Sequence, residues 1–207
     1  MLPKYHADIT RTALKNTFSP AAIGRIVAAN LYQDRLAAQI GHDEYHFDNN
    51  AFDKGYAYIE EQRTLTVAAL RANDTASAWA AFGRLTHTAQ DLYAHSNYVD
   101  LWLSRQDTTH RSPSEIDPVD QDVLASPDLH SGKIYMPLEP LSFIKFLRPL
   151  VMPFLPRDSH AWMNIDSPEQ GPRFAFAFQA AVKRTVFEFE KTTTGLTEEL
   201  VAAFVGR

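Results

Sequence analysis

The chain has 207 residues and a mass of 23.4 kDa, enough for one compact domain with a sizeable core. Hydrophobic residues make up 45% and aromatic residues 12% of it, a composition that excludes a disordered chain. The net charge of −5 argues against nonspecific binding to long nucleic acid, because such binding requires a basic surface. No cysteine is present, so disulfides, thiolate nucleophiles and sulfur-ligated zinc are excluded.

The N-terminal residues and the length of the apolar runs indicate where in the cell the protein is expected. Residues Met1 to His6 show no basic region followed by an apolar one, so no secretory signal is recognised. We therefore expect a cytoplasmic protein, or one exported by a signal-independent route. The sequence has no run of about 18 uninterrupted apolar residues, and a membrane span is not expected.

The prolines divide the chain into helical and irregular parts. Ten of the twelve prolines lie between Pro113 and Pro172, which leaves the flanking regions free to be helical. The predicted helices cover about residues 8–16, 20–40, 51–72, 74–103 and 168–192, with a final helical segment after Gly195. Residues 105–167 are expected to be irregular, with short helical turns near 118–125 and 140–150. The predicted fold is therefore all-α, a single helical domain over residues 1–207.

The last long predicted helix has a regular apolar pattern. Apolar residues recur in it at spacings of three and four, which is typical of a buried helical face. These residues are Ala175, Phe178, Val182, Val186 and Phe189.

The most informative segment is a predicted helix with three polar residues spaced one turn apart. His87, Asp91 and His95 share one face, because each step of four residues changes direction by only about 40°. Such residues can ligate cations, and a buried face with satisfied histidines is the alternative. His87 and His95 would lie about 12 Å apart along the axis, too far for one ion held at ~2.0–2.2 Å. The spacing therefore indicates two or more metal ions, with Asp91 as a bridge.

Further candidate ligands occur outside this helix. His6 and Asp8 begin the first predicted helix, where an N-cap is the alternative role of Asp8. Asp34 lies on an otherwise apolar helical stretch, and its alternative is a surface ion pair with a nearby arginine. The remaining candidates lie in loops and are His46, His160 and Asp166, the last of which has a pre-helix cap as its alternative.

A known family resembles this chain in one motif, Leu85-Thr-His87-Thr-Ala-Gln-Asp91-Leu-Tyr-Ala-His95-Ser-Asn97-Tyr. The motif resembles that of the fungal heterokaryon-incompatibility C (Het-C) family, and more distantly the zinc-dependent phospholipase C and single-strand nuclease superfamily. The other candidate ligands follow in the order in which that superfamily places its own. The resemblance spans residues 6 to 190, and the motif is its specific part.

The resemblance implies a helical fold of the phospholipase C and zinc nuclease type around three zinc ions. Carried over by position, the ligands of the three ions would be Asp34, His46, His87 and Asp91; then Asp91, His6 and Asp8; then His95, His160 and Asp166. Those phospholipases and nucleases use their first mature residue as a ligand, and Asp8 would replace it here, as in the Het-C family. Zinc is the expected metal, although such sites also accept manganese or iron.

The function implied is a metal-dependent phosphoesterase. It would hydrolyse phosphate esters such as phospholipids, nucleotides or single-stranded nucleic acid through a metal-bridging hydroxide. Asp34 would be the general base and Asp91 the bridging ligand. Two alternatives stay open: a metal-stabilised recognition or toxin module of the Het-C type without turnover, and an HD-type phosphohydrolase that uses the adjacent pair His42-Asp43.

One strongly apolar segment covers residues 138–156 and contains Lys145 and Arg148. Such a segment either packs over the core or faces a lipid surface. The expected partner is a phosphate-ester substrate, and a lipid surface is a further partner if this segment is exposed.

Overall fold

The computed structural model describes residues 1–35, 38, 41–105, 111–144 and 146–207. The helices are α1 Pro3–Leu14, α2 Pro20–Tyr32, α3 Asp43–His46, α4 Phe52–Arg71, α5 Thr75–His95, α6 Tyr98–Ser104, α7 Gln121–Leu124, α8 Glu139–Ser142, α9 Arg148–Val151, α10 His160–Met163, α11 Arg173–Thr193 and α12 Glu198–Val205. Short 3-10 turns occupy Asp48–Asn50, Pro113–Glu115, Met152–Phe154 and Pro168–Gln170. Within the described ranges there are two isolated β-bridges and no strand, so the predicted all-α single domain is confirmed.

Several helix boundaries in the structure differ from the predicted ones. The helix predicted over 51–72 is confirmed as α4, and α1 begins earlier than predicted, at Pro3. The helix predicted over 74–103 is divided, because Ser96 has an extended backbone and its Oγ accepts a hydrogen bond from the Tyr98 N–H at 3.2 Å. The second helix ends at Tyr32, and Ile40, its predicted end, lies outside the described residues.

In the described part of the irregular middle of the chain, the α-helices have four residues each. The turn predicted near 118–125 is α7, and the one predicted near 140–150 is divided into α8 and α9. Lys145 lies outside the described residues. None of the helices that the structure describes has both the length and the apolar character needed to cross a membrane.

Helix α5 lies at the centre of the fold. It packs against α2, α4 and α11, while α1 packs against α2 and α11. Every residue from Leu85 to His95 is buried as a result, including the polar ones. The central helix therefore carries its predicted ligands into the interior of the domain.

A glycine allows α2 and α5 to approach closely. A Cβ atom added at Gly83 would lie 2.4 Å from the Ile26 carbonyl oxygen and 2.7 Å from the Ala29 Cβ. Neither contact is sterically allowed, and the first involves backbone that cannot rotate away. The close approach brings Asn30 of α2 beside His87 of α5.

Helix α11 buries a different face from the one predicted. Its buried residues are Phe174, Ala177, Ala180, Ala181, Arg184, Thr185, Glu188 and Thr192. Of the predicted face, Ala175 is exposed and Phe178, Val182, Val186 and Phe189 are only partly buried. The prediction was right only in part: Phe178, Val182 and Phe189 pack against the core, but the hydrophobic pattern does not register the buried charges that pair with each other on the buried face.

Those charges form an ion-pair network between α4 and α11. Glu188 is fully buried, Arg184 Nε donates to its Oε1 at 2.6 Å, and Arg63 of α4 pairs with its other oxygen. Arg63 also pairs with the more exposed Glu60. A buried carboxylate is tolerated here because two guanidinium groups neutralise it and donate hydrogen bonds to it.

We expect Gly83→Ala to lower the free energy of unfolding by about 1–3 kcal/mol, because the new methyl group would push α2 from α5. The control is Gly24→Ala, since Gly24 is an exposed residue of α2 with no atom within 4 Å of an added Cβ. That change should instead raise the free energy of unfolding by about 0.5–1 kcal/mol. Urea unfolding measures both, and equal effects of the two substitutions would contradict the close approach.

We expect Glu188→Gln to lower the free energy of unfolding by about 3–5 kcal/mol, because it leaves the buried Arg184 without a counter-charge and Arg63 with only the more exposed Glu60. Glu190→Gln on the exposed side of α11 is the matched control and should change the value by less than about 0.5 kcal/mol. Urea unfolding of both variants checks this. A Glu188→Gln protein as stable as the control would show that the network contributes little.

Candidate metal centre

Side chains from several segments converge on the buried face of α5 that carries His87, Asp91 and His95. These side chains are His6 from α1, Asp34 after α2, His46 from α3, Asp48 from the next 3-10 turn, His160 from α10 and Asp166 after it. The three residues of α5 share one face, as predicted. His87 and His95 belong to different groups of side chains, as their separation along the helix requires.

The first group consists of His46, His87 and Asp91. His46 Nδ1 lies 2.9 Å from Asp91 Oδ2, His87 Nε2 lies 3.1 Å from the same oxygen, and the two nitrogens are 3.2 Å apart. In a tetrahedral site with ligands at ~2.0–2.1 Å, neighbouring ligand atoms are about 3.3–3.4 Å apart. The three atoms are therefore spaced nearly as ligands of one cation.

His6 and Asp34 border this first group. Asp34 Oδ1 lies 3.9 Å from His87 Nε2, and the His6 ring stacks on the His87 ring at 4.2 Å between centroids. His6 Nε2 lies 3.1 Å from Asp91 Oδ1, while its Nδ1 lies 2.7 Å from Gln90 Oε1. A hydrogen bond to the second ring nitrogen fixes the orientation of a ligating histidine, and Gln90 is placed to supply it.

The second group consists of Asp48, His95 and His160. Asp48 Oδ1 lies 2.9 Å from His160 Nδ1 and 3.5 Å from His95 Nδ1, and the two rings are 4.5 Å apart. Asp48 was missed by the sequence analysis, although it follows His46 by only two residues. The left-handed backbone of Phe47, with φ of 58°, turns the chain so that residues on both sides of it are buried.

Asp166 lies beside His95, as predicted, whereas the prediction for Asp8 was wrong. Asp166 Oδ1 is 3.3 Å from His95 Nε2. The Asp8 side chain is 42% exposed and lies 3.8 Å from Arg11 Nη1. Asp8 follows His6 by two residues on a helix and therefore points to nearly the opposite side. The α-amino group of Met1 is near the centre instead, 2.5 Å from Asp91 Oδ1 and 3.0 Å from His95 Nε2.

The charges of the centre are strongly coupled. Burial lowers the pKa of His87 well below its usual value, and the neighbouring His6 adds to this effect. Burial opposes ionisation of Asp91, but His95 and the Met1 amine hold the pKa of Asp91 well below its usual range. Burial likewise opposes the charge on His95, yet Asp91 and Asp48 raise the pKa of His95 to about 10. His87 is therefore neutral, the form of imidazole that binds metals.

Several polar atoms of the centre have no hydrogen-bond partner among the described residues. They are His6 Nε2, His46 Nε2, Asp34 Oδ2 and Asp166 Oδ1. Buried polar atoms are nearly always hydrogen-bonded. Here His6 Nε2, 3.1 Å from Asp91 Oδ1, and Asp166 Oδ1, 3.3 Å from His95 Nε2, have close contacts that lack hydrogen-bond geometry. The donor set of imidazole nitrogens and carboxylate oxygens fits a divalent transition metal.

The adjacent pair His42-Asp43 does not belong to this centre. The His42 side chain is 40% exposed, its Nδ1 lies 3.1 Å from Glu44 Oε1, and its ring stacks on Tyr45. Neither residue of the pair is in a metal-ligand group of the described chain. The HD-type alternative is therefore wrong.

Comparison with known proteins gives a family different from the one that the motif resembles. The chain matches the VWA7 N-terminal domain over residues 4–118, more than half of its length. The human von Willebrand factor A domain-containing protein 7 is 37% identical over 81 residues, which are 39% of this chain and 9% of that protein. The proteins of the same name from rat and mouse are 36% and 35% identical over stretches of the same length. The chain thus spans less than a tenth of these relatives, and no solved structure matches it.

These matches overturn the resemblance to the Het-C family and to the phospholipase C and nuclease superfamily. The phosphoesterase activity, the zinc hydrolase class and the Het-C type of recognition or toxin module are overturned with it. The role of Asp34 as general base has no support without that activity, whereas Asp91 as a bridging metal ligand stays a prediction. The motif led to the wrong family because its spacing indicates which residues can ligate cations but does not indicate which reaction or family they serve. The match over residues 4–118 shows that this chain belongs to the VWA7 N-terminal domain family.

Proposed function

We propose that this domain binds two divalent metal ions in its interior and that the ions hold together the segments that supply their ligands. The observation that carries the proposal is the triangle of His46 Nδ1, His87 Nε2 and Asp91 Oδ2, whose sides measure 2.9 to 3.2 Å. All three side chains are buried.

The first ion would be held by His46, His87 and Asp91, with Asp34 as the nearest further carboxylate. Two imidazoles and a carboxylate form a nitrogen and oxygen set that zinc, manganese and iron accept. The ion would replace the contacts that the two imidazoles make with each other and with Asp91 by bonds to one positive charge.

The second ion would be held by Asp48, His95 and His160. The three residues come from three segments, and 112 residues separate Asp48 from His160. The short helices of the middle of the chain are too short to be stable alone. An ion bound by His160 of α10 and His95 of α5 would connect segments that are far apart in the sequence. Its binding free energy would then contribute to folding.

The proposal contains two ions, whereas the sequence resemblance implied three. His87 also forms a third group of possible ligands with His6 and Asp34. Its Nδ1 contacts Asn30 Oδ1 at 3.4 Å, which leaves Nε2 to bind one ion. The groups that share His87 therefore supply ligands to a single ion, with His6 beside it.

We expect the purified protein supplied with zinc to contain about two equivalents of metal by elemental analysis. Metal at a free concentration of about 100 times Kd should stabilise the fold by about 2.7 kcal/mol, so chelation should lower Tm. His87→Ala should lose metal, whereas His42→Ala, the control at a half-exposed histidine, should retain all of it. A metal-free parent protein with a Tm that zinc does not change would contradict the proposal.

We also expect the two ions to be separable by mutation. His46→Ala removes a ligand of the first ion, and Asp48→Asn, two residues later, removes one of the second. Each variant should therefore bind about one equivalent of zinc in a calorimetric titration, with helicity checked by circular dichroism. Two equivalents in either folded variant, or none in both, would contradict the assignment of ligands to two ions.

A further inference from the structure

The exposed apolar side chains of this protein are concentrated in one segment. Nine of the twelve exposed large hydrophobic residues in the described ranges lie between Met136 and Trp162. Phe146 is 76% exposed, Phe154 75% and Leu150 67%. We call the nine exposed side chains from Met136 to Trp162 the apolar surface. Soluble proteins rarely expose so many large apolar side chains together without a binding role.

The apolar surface rests on packed structure. Helix α8 contacts both α9 and α10, and α9 also contacts the 3-10 turn Met152–Phe154. Val151, Leu155 and Ala161 form a small separate core beneath them. The exposed side chains therefore project from packed helices, and the folded structure keeps them exposed.

Of the two carboxylates of this region, one is buried and the other is paired with a lysine. Glu139 is fully buried and accepts a hydrogen bond from the Ala161 N–H at 2.5 Å. Asp158 pairs with Lys133 at 2.9 Å and accepts a hydrogen bond from the Tyr135 hydroxyl at 2.8 Å. Neither carboxylate is left to repel an anionic partner.

The basic residues of the region are placed differently. The Arg157 guanidinium lies 3.9 Å from the centroid of the Trp162 ring, and Arg148 donates to the Ala161 carbonyl oxygen. From Lys133 to Trp162 there are four basic and two acidic residues, a net charge of +2 in a chain of net charge −5. The apolar surface is thus bordered by local positive charge on an acidic protein.

We propose that the apolar surface docks on an anionic phospholipid membrane without crossing it. Exposed phenylalanines such as Phe146 and Phe154 would enter the boundary of the acyl chains. Trp162 and Arg157 would lie at the level of the headgroups, where tryptophan is favoured and arginine meets lipid phosphate. This proposal rests on exposed side chains and not on the metal ions, although His160, a proposed ligand of the second ion, lies on the same short helix as Trp162.

Charge favours a membrane over a second copy of the chain. A two-fold symmetric contact would place the apolar surface against the same surface of a second copy, so that both copies bring Arg148 and Arg157 to one interface. Like charges brought together in this way oppose association. An anionic membrane satisfies the apolar and the basic side chains at once.

The test is co-sedimentation with vesicles of phosphatidylcholine, alone or mixed with phosphatidylserine. The parent protein should bind the mixed vesicles more strongly. Phe146→Ser/Phe154→Ser should weaken that binding by about a hundredfold, because each phenylalanine contributes about tenfold. Arg157→Gln should weaken it by about fivefold, and only on vesicles with phosphatidylserine.

The control is Tyr32→Ser/Leu65→Ser, which removes two exposed apolar side chains elsewhere and should leave vesicle binding unchanged. Unfolding curves of all variants verify that they fold. The proposal is overturned if the parent does not bind mixed vesicles, or if the phenylalanine variant binds as the parent does. It is also overturned if light scattering shows a dimer that the phenylalanine variant loses while vesicle binding is absent, which would assign the surface to a second copy.

Discussion

The carboxylate of Asp91 is the charge around which this domain is arranged. It is fully buried on the central helix α5, where an uncompensated carboxylate would be very costly. Four histidines have a ring nitrogen within 3.7 Å of it, and they are His6, His46, His87 and His95. Two of them come from other segments, so satisfying this one charge fixes how α1 and α3 approach α5. A cation is the simplest means of satisfying the carboxylate and the unpaired imidazole nitrogens together.

The fold class and the central part of the site were predictable because both depend on local geometry. The concentration of prolines separates helical from irregular chain, and a helix places His87, Asp91 and His95 on one face whatever surrounds it. Long-range packing was not readable in the same way. Asp48 became a candidate ligand because a left-handed residue turns the chain beside His46. Glu188 is tolerated in the interior because Arg63 of α4 pairs with it in addition to Arg184 of its own helix.

The residues that can ligate a cation did not reveal the family to which the chain belongs. The His-Asp-His spacing correctly indicated which side chains converge, yet it led to the wrong family and the wrong activity. The matched residues, 4–118, include every proposed ligand of the first ion. His160, which completes the second group, and the whole apolar surface lie outside them. The second group therefore combines Asp48 and His95 from the residues that the family model matches with His160 from beyond them.

The most direct test of the account is anomalous X-ray diffraction at the zinc absorption edge from crystals grown with zinc. The account predicts two separate peaks, one among His46, His87 and Asp91 and the other among Asp48, His95 and His160, with side chains close to their present positions. A crystal with no peak at either position, in which the same side chains remain hydrogen-bonded to one another, would contradict it.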